Sequence, residues 1–173
     1  VMRLGILLLI NICLTTTLQE AYNEASSYED YEKYIVLEPG QTYYGGLGIY
    51  EGDVFIDCQG SLIDLQNQNG IWIYADENYL ATLDIQYCNI INGAYYGLSF
   101  SGIAAGTITN CNFYNNEIGI KPFDYSDVHI ENCNFINNIT YGLGIISETP
   151  TITVNYSNSW GCENGDYWEN CPG

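Results

Sequence analysis

The feature that most constrains this chain is a segment of ten residues that occurs twice, with an offset of 22 residues. The first copy begins at Thr107 and reads Thr-Ile-Thr-Asn-Cys-Asn-Phe-Tyr-Asn-Asn. The second begins at His129 and reads His-Ile-Glu-Asn-Cys-Asn-Phe-Ile-Asn-Asn. A glycine and an aliphatic residue follow each copy, at Gly119 and at Gly142. Repeats of about 20 to 50 residues are typical of stacked units, because one unit of this size cannot bury its apolar face alone.

Cysteines at one repeat position extend the pattern along the chain, and they are Cys58, Cys88, Cys111 and Cys133. Each has an apolar residue three positions earlier, in the order Phe55, Ile85, Ile108 and Ile130. The alternation of apolar and polar residues predicts short strands. The intervening Asn and Gly residues predict sharp corners, because both tolerate a left-handed backbone. Each repeat is therefore predicted to form one coil, with equivalent strands of successive coils paired in parallel.

The pattern Ile-x-Asn-Cys-Asn-Phe-x-Asn-Asn followed by Gly-Ile resembles the right-handed parallel β-helix of pectate-lyase-like proteins. The segments that begin at Leu37 (Leu-Glu-Pro-Gly-Gln-Thr-Tyr-Tyr-Gly-Gly-Leu) and at Phe55 (Phe-Ile-Asp-Cys-Gln-Gly-Ser-Leu-Ile-Asp) look like the first coils of that family. The resemblance covers residues 34–160 and matches no specific enzyme family. It implies an all-β fold, a right-handed single-stranded parallel β-helix of about five to six coils.

Residues 1–21 are predicted to be a secretory signal peptide. Arg3 supplies a basic end, residues 4–14 form an apolar run that is too short to span a bilayer, and a polar stretch follows. Cleavage is expected between residues 17 and 25, and the alternative is an apolar strand that the mature protein retains. The protein is therefore expected to be secreted and to act outside the cell or at the cell surface.

The remaining chain divides into three regions. Residues 22–33 are acidic and rich in tyrosine, which is compatible with a short helix that covers the N-terminal end of the stack, or with a flexible acidic tail. The helix would place Tyr22, Ala25, Tyr28 and Tyr31 on one stripe. Residues 34–160 are assigned to the β-helix domain. Residues 161–173 are assigned to a C-terminal cap or disulfide loop, with Cys162 and Cys171 as the expected pair.

Six cysteines remain if the signal segment and its cysteine are removed, an even number that suits disulfides in a secreted chain. The four repeat cysteines are expected to form a ladder, since equivalent positions of neighbouring coils lie about 4.8 Å apart. They are either packed thiols or bridges between neighbours, such as Cys58 with Cys88 and Cys111 with Cys133. Ser157 would be a fifth member of this column, 24 residues after Cys133. A metal site is not expected there, because a linear stack makes a poor tetrahedron.

Asparagines beside the cysteines predict a second ladder, formed by Asn89, Asn112 and Asn134. Their side chains are expected to stack and to bond the backbone of the corners. Asn138 and Asn155 each begin an Asn-x-Ser/Thr pattern and are the two glycosylation candidates. Asn138 also lies in an Asn-Asn corner of the repeat, so its pattern is compatible with a purely structural role.

The chain is strongly acidic, with 21 Asp and Glu against 3 Lys and Arg and a formal net charge of −18. Such a surface repels nucleic acid and anionic membranes, and it repels polyuronates unless cations intervene. We therefore expect no nucleic-acid partner. The signal segment being too short, we also expect no membrane span in the mature chain.

The sequence offers no obvious catalytic set. Enzymes of the fold that the repeat resembles use a basic residue and aspartate-bound calcium for elimination, or clustered aspartates for hydrolysis. The candidate bases are Lys33, Lys121 and His129, and none has an evident basic partner. Asp57 and Asp84 lie on adjacent coils but at different repeat positions. No catalytic residue, metal site or cofactor is therefore predicted, and a protein without enzymatic activity is favoured.

Aromatic residues are unusually frequent, with 17 Tyr and 3 Trp. In each of the pairs Tyr43-Tyr44 and Tyr95-Tyr96, one member must face outwards from a strand or coil. Tyr44 and Tyr96 are the candidates for contact with a sugar or with a second subunit. The alternative is ordinary packing on the flat faces of the helix.

Two functions are compatible with these observations. The favoured one is a secreted structural protein that self-associates end to end as an extracellular filament subunit, because a short stack leaves strand edges at both ends. Extracellular calcium would bundle such acidic filaments, and no other cofactor is expected. The alternative is a carbohydrate-binding module, or a degenerate polysaccharide lyase or hydrolase of the β-helix class. The expected partners are therefore further copies of the chain, or a glycan or polysaccharide.

Overall fold

The computed structural model describes residues 16–145, 147 and 149–167. Ahead of the coils lie helix α1 (Leu18–Glu24) and strand β1 (Ser26–Tyr28). Five coils of three strands follow, and a sixth coil adds two strands. The first three coils contain β2 (Tyr31–Val36), β3 (Thr42–Tyr44), β4 (Leu47–Ile49), β5 (Gly52–Asp57), β6 (Leu62–Asp64), β7 (Ile71–Ala75), β8 (Ala81–Gln86), β9 (Asn89–Ile91) and β10 (Leu98–Gly102). The last three contain β11 (Ala105–Thr109), β12 (Asn112–Tyr114), β13 (Ile118–Pro122), β14 (Asp127–Glu131), β15 (Asn134–Ile136), β16 (Tyr141–Leu143), β17 (Thr151–Asn155) and β18 (Asn158–Trp160).

The strands stack into three sheets, which we number in the order in which a coil visits them. The first sheet has the order β1-β2-β5-β8-β11-β14-β17, the second β3-β6-β9-β12-β15-β18, and the third β4-β7-β10-β13-β16. Pairings between coils are parallel, whereas β1 pairs with β2 in the antiparallel sense. The predicted all-β parallel β-helix is therefore confirmed, with five complete coils.

The interior of the stack is built by alternation of inward and outward side chains along most strands. In β8, for example, Leu83 and Ile85 are buried, while Asp84 and Gln86 face outwards. Ile85 pairs with Ile108, and Ile108 pairs with Ile130 on the next coil, so one residue type forms a continuous column. Burial of this surface stabilises the fold by about 25 cal/mol per Å² of apolar area.

The corners use the left-handed backbone that the Asn-rich pattern predicts. The residue directly before the cysteine column has a positive φ in four successive coils: 53° at Tyr87, 55° at Asn110, 53° at Asn132 and 51° at Tyr156. Asparagine reaches this region at low cost, whereas a tyrosine there is less common. The corner geometry is therefore a property of the repeat position and is retained even where the residue is not asparagine.

The second coil departs from the predicted alignment by one residue. Ile56, not Phe55, pairs with Ile85, and Phe55 pairs instead with Asp84 on the outer face. The reason is the position of the cysteine in the corner: Cys58 follows β5 directly, whereas Tyr87 lies between β8 and Cys88. Counting backwards from the cysteine therefore assigned Phe55 to the wrong face of this strand.

The N-terminal end of the stack is covered by residues that the sequence assigned to the signal peptide. The Tyr44 N–H donates to the Thr16 carbonyl (3.1 Å), and Leu18 of α1 is fully buried in the core. Thr17 and Glu20 form a reciprocal capping box at the start of α1. The rest of the predicted signal segment, residues 1–15, lies outside the described residues.

The predicted helical stripe in residues 22–33 is displaced. The helix lies at Leu18–Glu24, so it contains Tyr22 but not the other three members. Tyr28 lies in β1 and Tyr31 in β2, because this segment forms an antiparallel pair along the outer edge of the first sheet. An edge strand of this kind protects β2 from pairing with another chain.

Candidate functional site

The outer surface of the third sheet carries an open cleft of about 380 Å³. In β4, Leu47 and Ile49 point into the core, and Gly48 between them faces outwards. Gly48 pairs with Trp72 of β7, whose neighbours Ile71 and Ile73 are buried. The outward position is therefore empty on one coil and occupied by an indole on the next, which creates the depression.

Tyr50 and Trp72 form the aromatic part of the cleft. Their ring centroids lie 5.6 Å apart with an interplanar angle of 81°, and Tyr50 is 52% exposed. The Trp72 indole N–H donates to the buried hydroxyl of Ser101 (2.7 Å), which in turn donates to the Ile73 carbonyl (3.4 Å). These contacts hold the indole in one orientation, so the aromatic surface is preformed.

Glycines permit the close approach of these rings. A Cβ atom at Gly48 would lie 2.8 Å from the Tyr50 ring. Gly70 has φ +124°, and a Cβ atom there would meet the backbone carbonyl of Tyr96. Side chains at either position would displace the rings or the backbone, so both glycines are needed for the shape of the cleft.

Polar groups lie on the rim of the cleft. The Gln68 Oε1 atom accepts from the Gly46 N–H (3.1 Å), and its Nε2 group has no hydrogen-bond partner among the described residues. Asn69 also lines the cleft and is exposed. Burial, followed by the proximity of Tyr50, raises the pKa of Tyr96, so its hydroxyl stays protonated over a wide pH range. The cleft thus offers donors beside an aromatic wall.

The structure separates the two predicted contact tyrosines. Tyr96 lines the cleft but is only partly exposed, and its neighbour Tyr95 is the more outward member of the pair at 60% exposure. Tyr44 lies in β3 of the second sheet, against the N-terminal segment, and is not part of the cleft. Tyr50 and Trp72 were not selected from the sequence. The signal for Trp72 was present, since it stands between two buried isoleucines.

The cysteine ladder lies in the interior, as predicted. Cys58, Cys88, Cys111 and Cys133 are each fully buried. Cys58 and Cys88 form a disulfide with a Cα–Cα distance of 4.9 Å, and Cys111 and Cys133 are thiols. Burial raises the pKa of the Cys111 thiol well above its usual value. Of the two suggested bridges, the one between Cys58 and Cys88 is thus present, whereas Cys111 and Cys133 are packed thiols.

Ser157 continues the cysteine column. The Cys88 N–H donates to the sulfur of Cys111 (3.5 Å), and the Cys133 N–H donates to the hydroxyl of Ser157 (3.0 Å). The side chain at this position therefore accepts a backbone hydrogen bond from the previous coil. At the C-terminal end, Cys162 lies 3.8 Å from the Ser159 hydroxyl. Its expected partner, Cys171, lies outside the described residues, so that pairing stays a prediction.

The asparagine ladder has the predicted arrangement. The Asn134 side-chain amide donates to Asn112 (2.9 Å), Asn112 donates to Asn89 (2.8 Å), and Asn89 donates to the Gly60 carbonyl (2.9 Å). A ladder of this kind satisfies the corner backbone and joins adjacent coils. These asparagines are therefore engaged in holding the coils together.

The two sequons differ in their surroundings. Asn138 is 1% exposed, its Nδ2 donates to the Phe113 carbonyl (3.1 Å), and its Oδ1 accepts from the Asn116 N–H (3.1 Å). A glycan on Asn138 is incompatible with this arrangement, because the acceptor nitrogen is buried and bonded. Asn155 lies at an exposed position of β17 and remains a candidate.

The three candidate bases lie far apart in the fold. The Lys33 ammonium donates to the carbonyls of Ala25 (2.9 Å) and Asn23 (3.4 Å) at the N-terminal cap. Lys121 lies in the third sheet, beside the Phe123 ring, and His129 lies on the outer face of the first sheet, with its Nε2 3.8 Å from Asp127. None of the three lines the cleft.

The two aspartates that the sequence singled out also lie apart. Asp84 accepts from the Tyr31 hydroxyl (2.7 Å) and from the Thr107 N–H (2.9 Å). Asp57 pairs with Gln86, at a different repeat position. In the part of the chain that the structure describes, no three His, Cys, Asp or Glu side chains group as metal ligands would.

These features define a parallel β-helix solenoid with a preformed aromatic cleft on one face. The family described as right-handed β-helix region matches residues 45–169. The chain belongs to this right-handed β-helix family. No curated protein and no solved structure matches the chain in the corresponding comparisons. In residues 16–145, 147 and 149–167, no helix is long and apolar enough to cross a bilayer.

Proposed function

We propose that this protein binds carbohydrate, and that the cleft on the third sheet holds the sugar rings. The observation that carries the proposal is the pair of aromatic rings of Tyr50 and Trp72, in which Tyr50 is exposed to solvent and the Trp72 indole is held in place by Ser101. Aromatic rings with fixed orientation offer apolar area at little entropic cost, and sugar rings present apolar C–H faces to them.

The rim supplies the polar part of this recognition. Pockets for small polar ligands combine an apolar wall with a few convergent hydrogen-bonding groups. The amide of Gln68, the side chain of Asn69 and the hydroxyl of Tyr96 are placed at the edge of the aromatic wall. They suit the hydroxyl groups of a pyranose ring that rests on Trp72.

The charge of the protein restricts the class of glycan. With a net charge of −18, the surface disfavours polyuronates and other anionic polymers. Neutral or cationic polysaccharides are therefore the proposed ligands. Binding without cleavage is proposed, because none of Lys33, Lys121 and His129 lines the cleft.

End-to-end association of secreted copies is the second candidate. It is favoured by the C-terminal end, where β17 and β18 have no strand on their outer sides among the described residues. At the other end, β1 covers the outer edge of β2, and α1 covers the core. Within the part of the chain that the structure describes, the first sheet thus has a free edge at one end only, which suits a closed dimer of C-terminal ends better than an open filament.

Sugar binding is tested by retention on polysaccharide affinity gels and by titration with neutral and amino-sugar oligosaccharides. We expect Tyr50→Ala and Trp72→Ala each to weaken binding about fivefold, since loss of an aromatic contact costs on the order of 1 kcal/mol. Tyr125→Ala is the matched control, because Tyr125 is 72% exposed and lies outside the cleft. Absence of binding by the wild-type protein across the panel would reject the proposal, as would an equal loss in the control variant.

A further inference from the structure

A second pocket of about 490 Å³ adjoins the cleft and shares Gly48 and Tyr50 with it. Its walls include the rings of Tyr74 and Tyr79, and two carboxylates, Glu51 and Asp76, lie among them. Tyr79 is 59% exposed, so the pocket is open to a ligand from solvent. The Trp72 ring connects the two sites, with its centroid 6.1 Å from that of Tyr74.

Among the described residues, the carboxylates of this pocket form no ion pair. Across residues 16–145, 147 and 149–167, the one ion pair joins His129 and Asp127 on another sheet. The Asp76 Oδ1 atom accepts from the Asn78 and Tyr79 N–H groups (2.8 and 3.0 Å), so the turn that carries Tyr79 also orients the carboxylate. Its other oxygen is left for a ligand. Glu51 is exposed, and no residue that the structure describes forms an ion pair with it.

One tyrosine ring of this pocket already lies beside an ammonium group of the protein. The Lys33 ammonium lies 5.5 Å from the centroid of the Tyr22 ring, which is also part of the pocket wall. Lys33 itself donates to the carbonyls of Ala25 and Asn23, and among the described residues it forms no ion pair with Glu51 or Asp76. An ammonium group is attracted to an aromatic face within about 6 Å of the ring centre, and neighbouring carboxylates add to the attraction.

From this arrangement we infer that the ligand is a polysaccharide of amino sugars with free ammonium groups, one sugar ring resting on Tyr50 and Trp72 and an ammonium lying among Tyr74, Tyr79, Glu51 and Asp76. The inference rests on the proposed sugar-binding function and names the class of ligand. An N-acetylated sugar lacks the positive charge that the pocket attracts, and a neutral glucan uses only the cleft. A polyuronate is repelled by the same carboxylates.

The test compares oligosaccharides of glucosamine, N-acetylglucosamine, glucose and galacturonate of equal length by titration calorimetry at moderate salt. Short oligosaccharides are used because a long polycation would bind any acidic protein. We expect the glucosamine oligomer to bind tightest, and Glu51→Gln to weaken only that ligand by about three- to fivefold, as for a solvent-accessible charge pair. Tyr79→Leu keeps apolar area but removes the ring, and it is expected to weaken the same ligand by about two- to fivefold.

Glu131→Gln is the charge-matched control, because Glu131 is exposed on the first sheet, away from the pocket. An equal effect of Glu51→Gln and Glu131→Gln would mean non-specific attraction and would overturn the inference. Wild-type binding that is equal for glucose and glucosamine oligomers would overturn it too, while leaving the proposed sugar-binding function intact. Failure to bind any of the four oligomers would reject both.

Discussion

The indole N–H of Trp72 donates to the hydroxyl of Ser101, a residue 29 positions later in the chain and on the neighbouring coil of the same sheet. Ser101 is 1% exposed because the indole covers it. The bond couples the outer face of one coil to the next. It also decides the direction in which the largest aromatic ring of the cleft presents its surface.

Replacement of Ser101 tests this coupling. We expect Ser101→Ala to lower the free energy of unfolding by about 1–2 kcal/mol, because it leaves the Trp72 N–H without its buried acceptor. It should also weaken sugar binding, since the indole is no longer held in place. Ser99→Ala is the control: Ser99 is equally buried, but its hydroxyl donates to the Lys121 carbonyl (2.9 Å). Chemical denaturation measures the unfolding free energy, and titration with oligosaccharide measures binding. Equal sugar affinity of the Ser101→Ala and Ser99→Ala variants would contradict the prediction.

The cysteine ladder predicts the reactivity of the thiols. Cys111 and Cys133 are fully buried, and burial raises the pKa of Cys111, so little thiolate is accessible to a reagent. We expect both to resist alkylation in the folded protein and to react after denaturation without reductant, whereas Cys58 and Cys88 react only after reduction. Peptide mapping by mass spectrometry measures each site. Rapid labelling of Cys111 in the folded protein would contradict the placement of the cysteine ladder in the interior.

The N-terminal cap predicts where processing can occur. Leu18→Ala should cost about 2–4 kcal/mol of unfolding free energy, because it opens a cavity between α1 and the first coil. Gln19→Ala, on the exposed side of the same helix, should change stability by less than about 0.5 kcal/mol.

A signal cleavage within residues 17–25 would remove this cap. We therefore expect a secreted form to begin at or before Thr16, and N-terminal sequencing that placed its start at Tyr22 would contradict this.

The two sequons should behave differently in a glycosylating host. We expect a glycan on Asn155 and none on Asn138, because Asn138 is buried and its side-chain amide is bonded at both ends. In the Asn155→Gln variant, glycosidase treatment should no longer lower the mass of the protein. Asn138→Gln should leave the glycan in place but destabilise the fold by about 1–3 kcal/mol, since buried backbone groups lose their partners. A peptide that carries a glycan on Asn138 would contradict the buried position of this side chain.

The bond between Tyr31 and Asp84 predicts a loss of stability at high pH. The hydrogen bond to Asp84, with burial and neighbouring negative charges, raises the pKa of Tyr31 to about 12. A raised acid pKa means that the stabilisation is complete below the unfolded-state pKa of 10.0 and is lost as the pH rises through about 12. In thermal unfolding, the difference in melting temperature between wild type and Tyr31→Phe should disappear over this pH range. Tyr125→Phe should show no such pH-dependent difference, and an unchanged Tyr31 advantage above pH 12 would contradict the assignment.

The register of coils three to five could be derived from the sequence alone. The 22-residue offset and the alternation around Ile85, Ile108 and Ile130 leave one register that buries every apolar side chain, because a slip by one residue would turn each strand inside out. The Asn89, Asn112 and Asn134 ladder follows from the same register. Local pattern was sufficient here because each contact is between copies of one sequence position.

Other features were decided only by the tertiary structure. Phe55 lies on the outer face because Cys58 follows β5 without the intervening residue that Tyr87 provides before Cys88, and the pattern of the strand itself did not predict this difference. The cleft brings together Gly48, Tyr50, Trp72 and Tyr96 from three coils, and their approach depends on empty positions rather than on a motif. The apolar Leu18 resembled the end of a signal segment, yet it fills the open end of the core. A sequence repeat predicts the contacts between equivalent positions of neighbouring coils. Contacts between non-equivalent positions, and contacts at the two ends of the stack, depend on the complete tertiary structure.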